Sequence, residues 1–143
     1  MIEYGEEPVS SIYEIVDELA QVNFEESGLL QGKFLLNVNV DVYQQEFTRV
    51  FTLRDNDELV GYAVFLVGPH PHFADKVFAM NDVVYIKPDY RKGSRSFFEY
   101  IELSLDVDVI NYSMNYMAPH LEFMGSMGYE PTEIMYHKVI RNG

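Results

Sequence analysis

The sequence predicts a mixed α/β fold: a central sheet, largely antiparallel, with one parallel pair and helices on both faces. Three observations lead there. β-branched and aromatic runs alternate with stretches of helical spacing along the chain. The stretch from Val77 to Tyr112 reads as strand, basic turn, helix and strand, and a crossover of that kind makes the two strands parallel and right-handed. Finally, 143 residues with 48% hydrophobic and 15% aromatic side chains suit one core, and no repeat, low-complexity tract or long linker divides them, so a single domain spanning residues 1–143 is expected.

Met1 to Glu7 reads as a short edge strand or an ordered tail, within a stretch where eight acidic residues precede the first basic one at Lys33. From Ser10-Ser11, the serines that offer a cap, Ile12, Ile15, Val16, Leu19 and Val22 recur at helical spacing with Glu14, Asp17 and Glu18 opposite. Gly28 and Gly32 punctuate the next stretch, and Asn37 to Asp41 reads as a loop into a short helix around Val42 to Thr48. Val50 to Leu53 and Leu59 to Val67 form a hairpin about the polar turn Arg54 to Glu58. Gly68 to Phe73 breaks the sheet, and Val77 to Ile86 resumes it as the central strand, stopped by Pro88. Phe97, Phe98, Ile101 and Leu105 are the packing face of the next helix, with Glu99 and Glu102 toward water. Val107 to Tyr112 is the second parallel strand, His120 to Gly128 a last helix ended by its glycine, and Pro131 to Ile140 the strand that closes the sheet.

The charge balance excludes several classes of function. A net −13 repels nucleic-acid phosphates and anionic membranes, so neither is an expected partner. The acidity serves solubility first, and the attraction of a basic partner protein second. No apolar run is long enough to span a bilayer and the acidic N-terminus is unlike a signal peptide, which points to the cytoplasm. With no cysteine, disulfides, thiolate nucleophiles and cysteine-ligated metals are excluded. His70 and His72, two imidazoles at i, i+2 without a third ligand nearby, read as a polar loop or a proton-transfer group, and no metal is expected.

Against this acidity stands one basic island. Lys87, Arg91, Lys92 and Arg95 are four of ten basic residues, and with Asp89 the segment carries +3, leaving −16 for the rest. It lies where a strand passes into a helix, whose unpaired N–H groups and partial positive charge attract anions. The same letters admit a structural role: Ser96-x-x-Glu99 has the pattern of a capping box, which would occupy those N–H groups itself.

Asp82-Val83-Val84-Tyr85-Ile86-Lys87-Pro88-Asp89-Tyr90-Arg91 followed by Lys92 to Ser96 resembles the strand and pyrophosphate loop of the GNAT-type N-acetyltransferases, whose loop reads Arg/Gln-x-x-Gly-x-Gly/Ala. Met127-Gly128-Tyr129-Glu130-Pro131 resembles the family's "LGFEP" segment, with Glu133 to Ile140 in place of its last strand. The wording is most similar to that of the small acetyltransferase-like proteins of bacteriophage genomes. The resemblance implies a parallel pair that splays apart to admit pantetheine, and acetyl-CoA held by the backbone of Val84 and Ile86 and by Arg91, Lys92, Gly93, Ser94, Arg95 and Ser96. It implies Asp82 as the base, directly or through water, and an amine of a small molecule or of a protein as the acceptor. Three positions depart from the pattern. Ser94 and Ser96 stand where the family has glycines, Gly93 lying one place early, and Met124 stands where it has a tyrosine acid. Tyr112, Tyr116 or Tyr85 are the substitutes for that acid. The departures leave open a catalytically degenerate acidic protein that binds a host factor, or a virion component, and a homodimer is compatible with each reading.

Overall fold

The computed structural model describes residues 1–27, 36, 38–115 and 118–141. Its sheet has five strands in the order β1-β2-β3-β4-β5: β1 (Ile2–Glu6), β2 (Thr48–Asp55), β3 (Glu58–His70), β4 (Phe73–Ile86) and β5 (Val109–Asn111). The first four pair antiparallel, and β4 pairs with β5 in parallel. The predicted fold class is therefore the observed one.

Two cores form because alternate strand residues point to opposite faces. On one face Phe51, Leu53, Ala63, Phe65 and Ala79 pack against Phe97, Ile101 and Leu105 of α3 (Ser94–Leu105). On the other, Val50, Tyr62, Val64 and Tyr85 pack against Ile12, Val16 and Leu19, the buried stripe of α1 (Tyr13–Ser27). The middle of β3 has no room to spare. A Cβ on Gly61 would stand 3.1 Å from the Tyr85 carbonyl oxygen, so glycine is what lets β3 and β4 approach there.

Several boundaries differ from the sequence reading. β1 is a paired edge strand. A 3-10 turn at Val9–Ser11 precedes α1, and the Ser11 hydroxyl donates to the Pro8 carbonyl oxygen at 2.8 Å, so no serine caps α1. The short helix α2 is Val40–Tyr43, earlier than expected, because Thr48 already pairs with Leu66 in the sheet. The β2–β3 turn is tight, with Asn56 and Asp57 both at positive φ (49° and 71°), as the twist of a hairpin favours. Gly68 to Phe73 does not break the sheet. β3 runs to His70, β4 starts at Phe73, and a bulge at Pro69/His70 absorbs the proline that lacks a ladder donor. His70 lies tilted against Phe78 with ring centroids 4.5 Å apart, and its Nδ1 accepts the His72 N–H at 3.0 Å.

α4 (Leu121–Ser126) ends as its glycine predicts. Gly128, at φ 90°, donates its N–H to the Gly125 carbonyl, and Tyr129 donates to the Met124 carbonyl, both at 3.0 Å, which is the Schellman pattern. The predicted closing strand over Pro131–Ile140 is not formed: no ladder involves these residues, and Tyr136 is 88% exposed. The short β5, only Val109–Asn111, offers such a partner too little ladder to bind against. Residues 28–35, the stretch punctuated by Gly28 and Gly32, and Asn37 at the start of the predicted loop lie outside the described residues.

Candidate functional site

The parallel pair separates soon after it forms. β4 and β5 are in register only at Phe78–Val109, Ala79–Ile110 and Met80–Asn111, and one residue later a side chain takes over from the ladder. Asn81 Oδ1 accepts the Ser113 N–H at 2.6 Å and Asn81 Nδ2 donates to the Ser113 carbonyl at 3.3 Å. A carboxamide thus spans a gap that backbone groups no longer reach. Beyond it, Lys87 donates its N–H to the Val60 carbonyl at 2.8 Å. By strand alternation Lys87, Tyr85 and Val83 turn their backbone groups toward β3, and Val84 and Ile86 turn theirs toward the gap.

Asp82 sits at the same point. The β3–β4 register slips between Val64 and Phe65, pairing them with Val83 and Asn81, so Asp82 is the extra residue of a bulge, a device that re-aims a side chain. Its carboxylate is exposed and accepts a very short hydrogen bond from the Tyr43 hydroxyl of α2. Burial, and next the Asp82 carboxylate, hold Tyr43 ionisation far above the ordinary tyrosine value, so Tyr43 is a neutral donor at physiological pH. Tyr62 beneath them is raised in the same way, by burial first and then by Asp82.

The basic island begins as a 3-10 turn, Pro88–Gly93, which runs straight into α3 with Gly93 as N-cap and no side-chain cap. Ser96 therefore lies inside the first turn of α3, and the capping box does not form. The turn consumes part of its own donors: Tyr90 donates to the Lys87 carbonyl at 2.9 Å, and the Ser94 N–H goes to the Arg91 carbonyl. The cations diverge. Arg91 donates from Nε to the Ile86 carbonyl and from Nη2 to Glu26 of α1, both at 2.8 Å, and lies over the Tyr85 ring. Arg95 donates to Ser126 Oγ at 2.6 Å and lies over Phe123 of α4, beside a shallow groove of about 500 Å³. Lys87 pairs loosely with Glu58 at 3.7 Å, and Lys92 is exposed.

The tyrosines divide between the faces. Tyr112 follows β5 and packs against Phe65 and Phe98 on the α3 face, whereas Asp82 and Tyr43 are on the α1 face. The buried Tyr112 hydroxyl makes no hydrogen bond of good geometry among the described residues, and burial holds its ionisation well up. Tyr85 is in the α1 core, Met124 is a buried packing residue, and Tyr116 lies outside the described residues.

Sequence reasoning missed Tyr43, Asn81 and Glu26. Tyr43 meets Asp82 from 39 residues away and Glu26 meets Arg91 from 65, and no local pattern announces either contact. Asn81 could have been found, since Asn81-Asp82 is a polar pair interrupting the apolar run from Val77 to Ile86.

No family model and no curated protein matches this sequence. Solved structures do. A mutant of the BH1408 protein of Bacillus halodurans superposes with a TM-score of 0.73 at 19% identity, covering 97% of this chain and 99% of that one. An aminoglycoside acetyltransferase from an uncultured soil metagenomic sample, solved with trehalose, gives 0.72 at 10% identity over 98% and 97%. A GCN5-related N-acetyltransferase of Ralstonia eutropha gives 0.71 at 15% identity over 97% and 99%. The chain has the GNAT fold. At these identities the likeness is one of architecture, and it extends over nearly the whole of each chain.

Proposed function

We propose that the protein transfers an acetyl group from acetyl-CoA to an amine, in line with the acetyltransferases among the solved structures it resembles. The observation that carries the reading is the separation of β4 and β5 at the Asn81 bridge, with the Asp82 bulge beside it and the start of α3 one strand end away. The residues present fit the cofactor in kind. The backbone groups of Val84 and the Ile86 N–H are directed to the gap by strand alternation, the Ile86 carbonyl being taken by Arg91, and Arg91, Lys92, Gly93, Ser94, Arg95 and Ser96 surround an α3 N-terminus that no side chain caps.

When bound, acetyl-CoA supplies a thioester carbonyl that an amine can attack. The amine nitrogen bonds to that carbon as the C–S bond breaks, the amine proton passes to Asp82 directly or through water, and the departing sulfur takes a proton. Tyr43 holds Oδ2 of Asp82, so the other carboxylate oxygen is the acceptor. The proton for sulfur is assigned to Tyr112 or Tyr116. Tyr112 keeps its proton at neutral pH, and the Tyr129 hydroxyl is the neighbour toward which it is directed among the described residues.

A second reading is a degenerate member of the fold, of the kind encoded by bacteriophages, that binds a basic host protein or is carried in a virion. Two features favour it: Arg91 is already paired with Glu26, and the 3-10 turn spends N–H groups that a pyrophosphate would need. Calorimetric titration with acetyl-CoA separates the two. Binding should weaken about tenfold or more in the Arg91→Ala, Arg95→Ala double variant, because each charge-assisted phosphate contact contributes roughly 1.5–3 kcal/mol. No heat at millimolar cofactor supports the second reading, and binding indifferent to the double change would place the cofactor elsewhere.

A further inference from the structure

Taking the acetyl transfer above as premise, we infer that the acceptor is a primary amine on an apolar body, its ammonium on Asp82 and its body along the sheet face that continues from it toward the β3–β4 tip. Asp82 presents one carboxylate oxygen to Tyr43. Among the described residues the other oxygen receives no hydrogen bond, and no lysine or arginine pairs with this carboxylate. It is an exposed anion with an open position, on a chain whose overall charge also favours cations.

The surface beside it is apolar. Leu66 and Met80 are direct cross-strand partners on the α1 face, next in line after Val64 and Val83. Val64 and Val83 belong to the core under α1, whereas Leu66 and Met80 are 37% and 49% exposed. Two residues on, Phe78 continues the same face and stands across from the exposed Val109 of β5. The covering helix thus stops short of a strip of large apolar side chains that starts at the carboxylate.

Such a surface selects by what it fails to satisfy. An aliphatic or arylalkyl amine places its charge on Asp82 and its carbon skeleton on Leu66, Met80 and Phe78, losing only apolar hydration. A polycationic amino sugar would turn hydroxyls and further ammonium groups onto the same strip, where Leu66, Met80 and Phe78 offer them no partner and, among the described residues, only Asn111, Thr48 and His70 at its margins are polar. The strip thus favours hydrophobic amines over aminoglycosides.

The test uses the full chain without acetyl-CoA, so that acceptor binding is read independently of the transfer reaction. Phenethylamine, its neutral analogue 2-phenylethanol and an aminoglycoside are titrated into nitrogen-15-labelled protein, and shifts are followed at Met80, Asn81 and Asp82. Phenethylamine should bind about tenfold tighter than the alcohol, as a charge-assisted contact implies. Asp82→Asn should abolish that difference while leaving the spectrum otherwise native, and Met80→Ser should weaken amine and alcohol alike. Tighter binding of the aminoglycoside, or an amine affinity indifferent to Asp82→Asn, overturns the inference, as does no phenethylamine binding at tens of millimolar. Phenethylamine binding to a protein that takes up no acetyl-CoA would keep this site and sink the transfer reaction alone.

Discussion

At the scale of single residues, the charges that stabilise the protein and those offered to a ligand are set apart by how many partners each has. Glu7 is fully engaged. Arg54 donates to both its oxygens at 2.9 Å, Thr52 donates at 2.5 Å, and the Ser11 hydroxyl, shared with the Pro8 carbonyl, lies 3.1 Å away. Hydrogen bonding from Arg54 outweighs the opposing cost of burial and holds the Glu7 carboxyl at about 2, against an ordinary 4.5. Because the folded value is the depressed one, the stability from Glu7 is whole above about pH 4.5 and is lost as the pH falls toward about 2. Replacing Glu7 with glutamine should cost about 2 kcal/mol at neutral pH. In urea unfolding, the gap between wild type and variant should close on acidification, and a gap that stays constant would show that Glu7 acts by shape alone. Asp82 is the contrast, with one neutral donor and, among the described residues, no donor to its other oxygen.

At the scale of elements, the helix into which the basic island runs is fastened at its far end. Arg49 of β2 pairs with Glu6 of β1 through two bonds, at 2.7 and 2.8 Å. It also donates to the Ser104 and Leu105 carbonyls at 3.0 Å each, groups left over at the α3 C-terminus, where a cation also suits the helix dipole. Phe97, Phe98, Ile101 and Leu105 hold the remainder of α3 by burial. Arg49→Ala should therefore cost about 2 kcal/mol without unfolding the helix, and amide exchange should quicken in the last turn of α3 and along β1. Uniform exchange throughout α3 would mean that Arg49 does not fix its end. The short β5 shows the opposite case, an element held by few bonds, and the Asp108 carboxylate supplements it by accepting the Val77 N–H at 2.8 Å.

At the scale of the whole molecule, a charge of −16 surrounds a +3 island in a chain of net −13, and the island's arginines are turned toward α1 and α4. Long-range repulsion opposes an anionic cofactor and favours a cationic acceptor. If the acidity also recruits a basic protein, capture of that partner should fall steeply as salt is raised, since exposed charges are screened beyond roughly 8–10 Å at physiological ionic strength. A pull-down at low and high salt reads this directly. An empty low-salt lane would leave the acidity a matter of solubility. Among the described residues no helix is long and apolar enough to cross a membrane.

Local information carries furthest where one element decides the outcome. The α1 stripe, the β2–β3 turn, the packing face of α3 and the glycine that ends α4 were all legible in the sequence, because each depends on residue spacing or on a backbone angle that few residues tolerate. Spacing also made the parallel β4–β5 pair legible, through the handedness of the crossover. What failed depended on partners. Residues 131–140 have the composition of a strand, but a strand exists only where another edge accepts it, and the three-residue β5 does not. Ser96 and Glu99 have the spacing of a capping box, but α3 starts three residues earlier than that box requires, at Ser94 with Gly93 as its N-cap. Asp82 and the basic island could be picked out as chemistry. That Tyr43 would hold one oxygen of Asp82, that Glu26 would claim Arg91, and that an apolar strip would lie uncovered beside the carboxylate were decided only by tertiary structure, because each joins residues far apart in the chain.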